Sequence, residues 1–275
     1  LGLIAFGTLV HVFEVGFSEC SKSYTFRGDK DHSTIKIQEM LGIVATRNGQ
    51  IAGLPAGSQA TSSLHGRTPA LGRFLVPVAE GAFALEQALS DLQRDPWPCL
   101  PEERAQRCTG TALAIALGLL EIAVPKQGAR LLMFVGGPPT VGPGLVVPRA
   151  RTETIRSFLD IEKGRAPLLK PAAEFYKGLS DRAIAAHVVV DAFACSLDQV
   201  GILELSSLVS RTGGVYVLAD KFSQSVFRES LRRMFEQQNS SGLSMGFGAQ
   251  MEVLCSREVK LAGAVGPCAS LKKTG

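Results

Sequence analysis

Three short apolar runs limit what this chain can fold into. Leu131 to Val135, His187 to Phe193 and Val215 to Ala219 lack polar alternation, and each follows a stretch with helical spacing. A strand without polar alternation is buried on both faces, as in a parallel sheet covered by helices. Strand and helix in turn imply right-handed crossovers and a doubly wound α/β layer. The helical stretches are Thr109 to Val124, residues 152–163, residues 171–185, and a helix that a Ser196/Gln199 capping box opens and that reaches Val209. Pro125 and Gly128 mark the exit from the first, and Thr212-Gly213-Gly214 ends the last. Val226 to Gln237 predicts one more helix. Phe227, Leu231, Met234 and Phe235 fall on one stripe of it, with Arg228, Arg232 and Arg233 off the stripe.

The flanks read differently. Leu1 to Phe6 and Val10 to Val15 predict a hairpin whose second, more polar strand lies at a sheet edge. Residues 42–70, rich in Gly, Ala, Ser and Thr, read as a long irregular surface loop. Ala82 to Leu92 has helical spacing and stops before Asp95-Pro96-Trp97-Pro98. Met251 to Cys255 and Val259 to Ala264 read as two short strands opening a separate β domain. The chain starts inside a strand-like run, "LGLIAFG", and reads as a fragment whose first elements are missing.

Composition removes several functions. With 275 residues, 45% apolar and 20% charged, the chain is globular and long enough to bury a sizeable core. A net charge of +4 is too mild to argue for nucleic acid, but it suits an acidic partner or membrane surface. The six cysteines form no C-x-x-C pair, so no zinc site is expected within the chain; they read as reduced core thiols, which favours the cytosol. The most apolar window, Ala112 to Val124, is short and contains Gly118 and Glu121, so it reads as a core helix and not a membrane span.

Each candidate chemistry has a plainer counterpart. The stretch "VGGPPTVGPG" has Gly137 and Gly142 at phosphate-loop spacing. Pro143-Gly144 stands where Lys-Ser/Thr belongs, and its prolines have no N–H to donate. The plainer reading is a rigid loop at the carboxyl end of a sheet strand. "CTGTALAIALG" resembles the threonine loop of von Willebrand factor A domains, with Thr111 at the Mg²⁺-holding position. The next strand, however, ends Val135-Gly136-Gly137, without a carboxylate. Thr109 and Thr111 then read as helix-capping residues. For a hydrolase, His187 shares a strand face with Asp191, and Cys195 follows that strand. "GLSMG" at 242–246 matches a nucleophile elbow in letters but not in context. A satisfied core His is the plainer reading. Arg228, Arg232 and Arg233 read as a solvated helix face before an acidic-lipid or protein contact. Trp97, between two prolines, is either an exposed interface anchor or a plug at the end of the core.

Five phrases in order carry a family resemblance: "LQRDPWP", "RLLMFVGGPPTVGPGLVV", "FACSLDQVGILEL", "TGGVYVLAD" and "MGFGAQMEVLCSREVKLAGAVGPC". With "SKSYTFRG" and "FRESLRRMFEQ", they resemble the Sec-twenty-three family, the GTPase-activating inner-layer subunit of the COPII vesicle coat. The resemblance implies a trunk domain over residues 1–240, a von Willebrand A-like, doubly wound, mostly parallel α/β sheet whose first strand is missing here. The start of an all-β sandwich would follow over residues 243–275. It also implies binding to the cargo-selecting coat subunit and a Sar-type small GTPase, an acidic endoplasmic reticulum membrane surface, and outer coat subunits through other parts of the full-length protein. The catalytic arginine and a zinc finger are expected outside this chain, so no catalytic, cofactor or metal residue is assigned within it. Trp97, Gly136, Gly137, Arg228 and Arg232 are the candidate loop or interface positions. In that light "VGGPPTVGPG" reads as a stiff loop whose glycines let another chain approach. An A-domain module using a divalent metal and an α/β hydrolase are the alternatives.

Overall fold

The computed structural model describes residues 1–17, 19–43, 46–47, 50–51, 71–236, 243 and 245–271. They fall into two compact units, one of Leu1–Pro125 with Pro139–Thr154, the other of Lys126–Pro138 with Ile155–Gly275.

The first unit opens with β1 (Ile4–Phe6), β2 (Leu9–Phe13) and β3 (Ser23–Arg27), an antiparallel sheet ordered β1-β2-β3. The predicted hairpin forms, but its second strand is the middle strand and not an edge. Val10 and Val12 are fully buried. His11 alternates to the other face, where its Nδ1 lies 3.1 Å from Thr25 Oγ1 across the β2–β3 ladder. The polar residues of β2 therefore mark a solvated face of an antiparallel sheet. Helix α1 (Thr34–Leu41) has no counterpart in the sequence reading. Ser33 caps it by accepting from the Lys36 N–H, Gly42 closes it in the left-handed region, and Ile37 and Leu41 are its buried residues. Strands β4 (Thr46–Arg47) and β5 (Gln50–Ile51) form a small antiparallel ladder inside the stretch read as an irregular loop. Most of that loop, including His65, lies outside the described residues.

Helix α2 (Val78–Ser90) begins four residues earlier than the spacing suggested, directly after Pro77, whose fixed φ suits a helix entrance. Helix α3 (Thr109–Ala123) is buried over most of its surface and packs on α1 and β1. Its small residues Gly110, Ala112 and Ala114 permit close approach. Ile115 and Leu119 join Val10, Val12, Phe26 and Phe74 in one core, where each large side chain contributes about 1.5–3 kcal/mol.

The second unit contains β6 (Ala129–Val135), α4 (Phe158–Glu162), α5 (Leu169–Ala185), β7 (Val188–Cys195), α6 (Ile202–Thr212), β8 (Tyr216–Ala219) and α7 (Ser225–Met234). The three predicted strands form a parallel sheet ordered β6-β7-β8, with Phe134, Phe193 and Val217 side by side. Helix α7 lays Phe227, Leu231 and Met234 on the face carrying Phe193 and Val217. The alternate residues of β7, Val188, Val190, Ala192 and Ala194, are equally buried, and α5 and α6 pack on that strand.

Three local expectations fail here. Of residues 152–163 only Phe158–Glu162 are helical, entered by a capping box between Ser157 and Asp160. The box expected at Ser196 and Gln199 does not form. Ser196 Oγ instead accepts from the Asp198 N–H in a local turn, and α6 starts after Gly201. Met251–Cys255 and Val259–Ala264 form no strand, having no ladder to join among the described residues. Of the six cysteines only Cys108 is a core thiol; Cys195 is half-buried and the other four are exposed.

Candidate functional site

The Gly-Pro stretch divides between the two units after Pro138. In the second unit Gly136 follows the end of β6 and is exposed, while Gly137 is buried. A side chain at Gly136 would meet nothing closer than Cys195 O at 3.6 Å, so nothing in its packing requires glycine. In the first unit the remainder of the stretch is a clamp. Thr140 Oγ1 accepts from the Arg107 N–H at 2.9 Å and donates to Ala105 O at 2.8 Å, and the Thr140 N–H donates to Arg107 O at 3.1 Å. Gly142, at φ +78°, is where glycine is required. A Cβ there would run into Gly28 O and lie 3.0 Å from Thr111 Oγ1. At Gly142 the close approach is to the chain's own backbone.

Thr111 takes part in the same packing. Its hydroxyl donates to Gly28 O at 2.7 Å and lies 3.3 Å from Lys30 O, so it does not cap α3. Thr109 is also no cap. It is the first helical residue, Cys108 stands at the N-cap without a side-chain bond, and Thr109 Oγ1 is buried with no partner among the described residues. Burial pushes the Cys108 thiol up to about 12, which makes it an inert core group. Among the described residues no group of three or more His, Cys, Asp or Glu is placed to hold a metal ion.

Among the described residues the hydrolase constellation does not assemble. His187 stands before the amino end of β7 with Nδ1 3.2 Å from Lys126 O, while Cys195 closes the opposite end. Asp191 is bound to Arg130 and not to a histidine. His32 lies 2.9 Å from Arg27 O. Ser244 lies outside the described residues.

What the structure does build is a fixed, exposed loop around Trp97. Asp95 accepts from the Thr8 N–H at 2.5 Å and the Trp97 N–H at 3.1 Å. Gly7 leaves room for that carboxylate, since a Cβ there would collide with Asp95 Oδ2. Burial alone would raise the Asp95 pKa; the hydrogen bonds from Thr8 and Trp97 outweigh it and hold the group below its ordinary value. Trp97 is 52% exposed and Leu100 59%, so Trp97 does not plug the end of the core. Arg104, further along, spans three carbonyls, those of Pro148, Ala150 and Glu153, and Arg149 pairs with Glu103. Arg107 is half-buried, and its guanidinium has no partner among the described residues. Burial pulls its pKa below the ordinary value. Arg228 and Arg232 are exposed on α7, off its apolar stripe, as expected.

Sequence reasoning singled out Trp97 but passed over Asp95, Arg107 and Thr140. Asp before Pro carries a turn signal; nothing local marks the other two.

Residues 1–235 match the family model of the Sec23/Sec24 trunk domain. The chain is 41% identical over 276 residues to "Protein transport protein SEC23 F" of Arabidopsis thaliana, an alignment covering 100% of this chain and 35% of that protein. It therefore spans about a third of the length of the curated relative it matches. The crystal structure of the human COPII-coat protein Sec24c is similar with a TM-score of 0.50 and 14% identity, over 84% of this chain and 26% of that one. At that identity the likeness is one of fold. It agrees with the mixed α/β architecture, the parallel β6-β7-β8 sheet and a von Willebrand A-like class.

Proposed function

The chain belongs to the Sec23/Sec24 trunk domain family, and from that premise we propose that it is the trunk of an inner-layer COPII coat subunit of the Sec-twenty-three type. It would act as a docking scaffold, with no reaction of its own. The observation that carries this reading is the 41% identity to SEC23 F that extends over the whole chain. In this reading the trunk meets the cargo-selecting coat subunit and a Sar-type small GTPase. The full-length protein speeds that GTPase's hydrolysis with an arginine outside these residues, and outer coat subunits engage its other parts. The protein sits peripherally on the cytosolic face of the endoplasmic reticulum membrane and its vesicles, serving transport to the Golgi. The net charge of +4 and the exposed Arg228 and Arg232 suit an acidic membrane surface, and among the described residues no helix is long and apolar enough to cross a membrane.

The test is phosphate release from a GTP-loaded Sar-type GTPase on acidic liposomes. The full-length protein is expected to stimulate release and residues 1–275 alone are not. Stimulation by these residues alone overturns the placement of the catalytic arginine. Absence of stimulation by the full-length protein overturns the coat reading.

A further inference from the structure

We infer that Phe247 and Gly248 form a strap that clips onto the amino ends of β6 and β7, and that Lys126, Gly128 and His187 are its seat. The strap keeps the two loops of the seat in strained conformations and fixes the path of the chain after α7. This inference goes beyond the docking-scaffold reading and does not depend on it.

The backbone gives the first sign. Among the described residues other than glycine, Lys126 at φ +56° and His187 at φ +58° are the two with positive φ. Such residues are uncommon, and they persist where the surroundings over-determine them. The two meet at one end of the sheet. His187 Nδ1 lies 3.2 Å from Lys126 O, and the Ala129 N–H donates to His187 O at 3.2 Å. Two glycines then bring in the strap. A Cβ on Gly128 would lie 2.6 Å from both Cβ and Cγ of Phe247, so the Phe247 side chain rests on a bare Cα. A Cβ on Gly248 would lie 2.6 Å from His187 Nδ1 and 2.9 Å from its Cγ and Cε1, so the imidazole rests on a second bare Cα. The fit is reciprocal, with one ring and one glycine on each side, and only glycine permits that approach. Residues further along lack such a fit. Phe247 is half-buried, whereas Met251 is 76% exposed and Leu254 85%. Among the described residues no ladder holds Met245 to Leu271 to the sheet, so the ring-on-glycine contacts secure the strap. Strain that a contact maintains relaxes when that contact opens, which makes the seat sensitive to the strap.

The experiment compares the full-length protein with its Phe247→Ala, Phe247→Leu and His187→Asn variants. Hydrogen exchange followed by mass spectrometry reads the seat in peptides over residues 126–131 and 186–190. Chymotrypsin cleavage after Phe247 reads the strap. In Phe247→Ala, exchange in both seat peptides is expected to rise at least about tenfold, while peptides at the carboxyl ends of β6 and β7 keep their rates. Phe247→Leu keeps an apolar side chain on Gly128 and is expected to retain most of the protection. His187→Asn keeps a residue that tolerates the left-handed conformation but removes the ring. It is expected to speed cleavage after Phe247 at least about tenfold. Exchange that rises equally along both strands is general destabilisation and overturns the inference. So does an unchanged seat in Phe247→Ala, or unchanged cleavage in His187→Asn. If Phe247→Ala does not fold, the cleavage rate of His187→Asn decides alone. GTPase stimulation by the full-length protein is read separately, so either reading can fail while the other stands.

Discussion

Asp191 receives the Arg130 guanidinium at both ends, Nε at 2.5 Å and Nη2 at 2.8 Å, and its Oδ1 also accepts the Val215 N–H at 2.9 Å. One fully buried carboxylate on β7 thus ties β6 to the residue that leads into β8. Removing one partner leaves the other charge uncompensated inside the sheet. Asp191→Ala is expected to lower unfolding free energy by about 3–5 kcal/mol, read by urea denaturation. The double variant Arg130→Met/Asp191→Leu is expected to recover most of the loss. If the single and double variants are equally unstable, the pair is not what holds the three strands in register.

Glu14 makes stability depend on acid. Burial alone would raise its pKa, but hydrogen bonds from Arg73, Lys22 and Tyr24 outweigh that and hold it at about 2, below its ordinary value of 4.5. Because the folded value is the lower one, the ionised form favours the folded state. Its contribution is complete above about pH 4.5 and disappears as pH falls toward about 2. A shift of this size corresponds to at most about 3.5 kcal/mol, and the 42% exposure of Lys22 screens part of it. Glu14→Gln is therefore expected to cost about 2 kcal/mol at pH 7 and almost nothing near pH 2. Denaturant melts of both proteins across that range supply the comparison, and a difference that does not shrink on acidification rejects the assignment.

Two glycines of one stretch should behave oppositely. Gly142→Ala forces a Cβ into Gly28 O at a backbone angle that L residues rarely adopt, with an expected loss of about 2–4 kcal/mol. Gly136→Ala meets only Cys195 O at 3.6 Å and is expected to change stability by less than about 0.5 kcal/mol. Thermal melts of the two variants check the contrast, and equal losses would mean that the loop is rigid for another reason.

The parallel sheet was legible because β6, β7 and β8 are buried on both faces and so carry unbroken apolar runs, a signal contained in each segment. The middle position of β2 was not legible, since His11 looks the same in an edge strand and in a central strand with one wet face. Helix α1 offered a Ser33 cap and a Gly42 stop, but eight residues give too little periodicity to read. The site was harder still. Asp95 matters through the Thr8 N–H, 87 positions away, and Arg107 through Thr140, 33 positions away. What distinguishes Arg107, a side chain without a partner among the described residues, depends on where the acids elsewhere in the fold lie. Trp97 could be found because the prolines that present it adjoin it in sequence.

Thr109 and Thr111 read alike in the sequence but hold different positions in the fold. Both are fully buried. The Thr111 hydroxyl donates to Gly28 O at 2.7 Å and thereby fastens the turn after β3 to the first turn of α3. The Thr109 hydroxyl has no partner among the described residues. Valine keeps the shape of threonine and removes the hydroxyl. Thr111→Val leaves a buried carbonyl unsatisfied and is expected to cost about 1–3 kcal/mol. Thr109→Val removes an unsatisfied polar atom from the core and is expected to be neutral or to stabilise by about 1 kcal/mol. Urea denaturation at neutral pH separates the two. If Thr109→Val proves the more damaging, its hydroxyl has a polar partner after all and α3 begins with a side-chain cap.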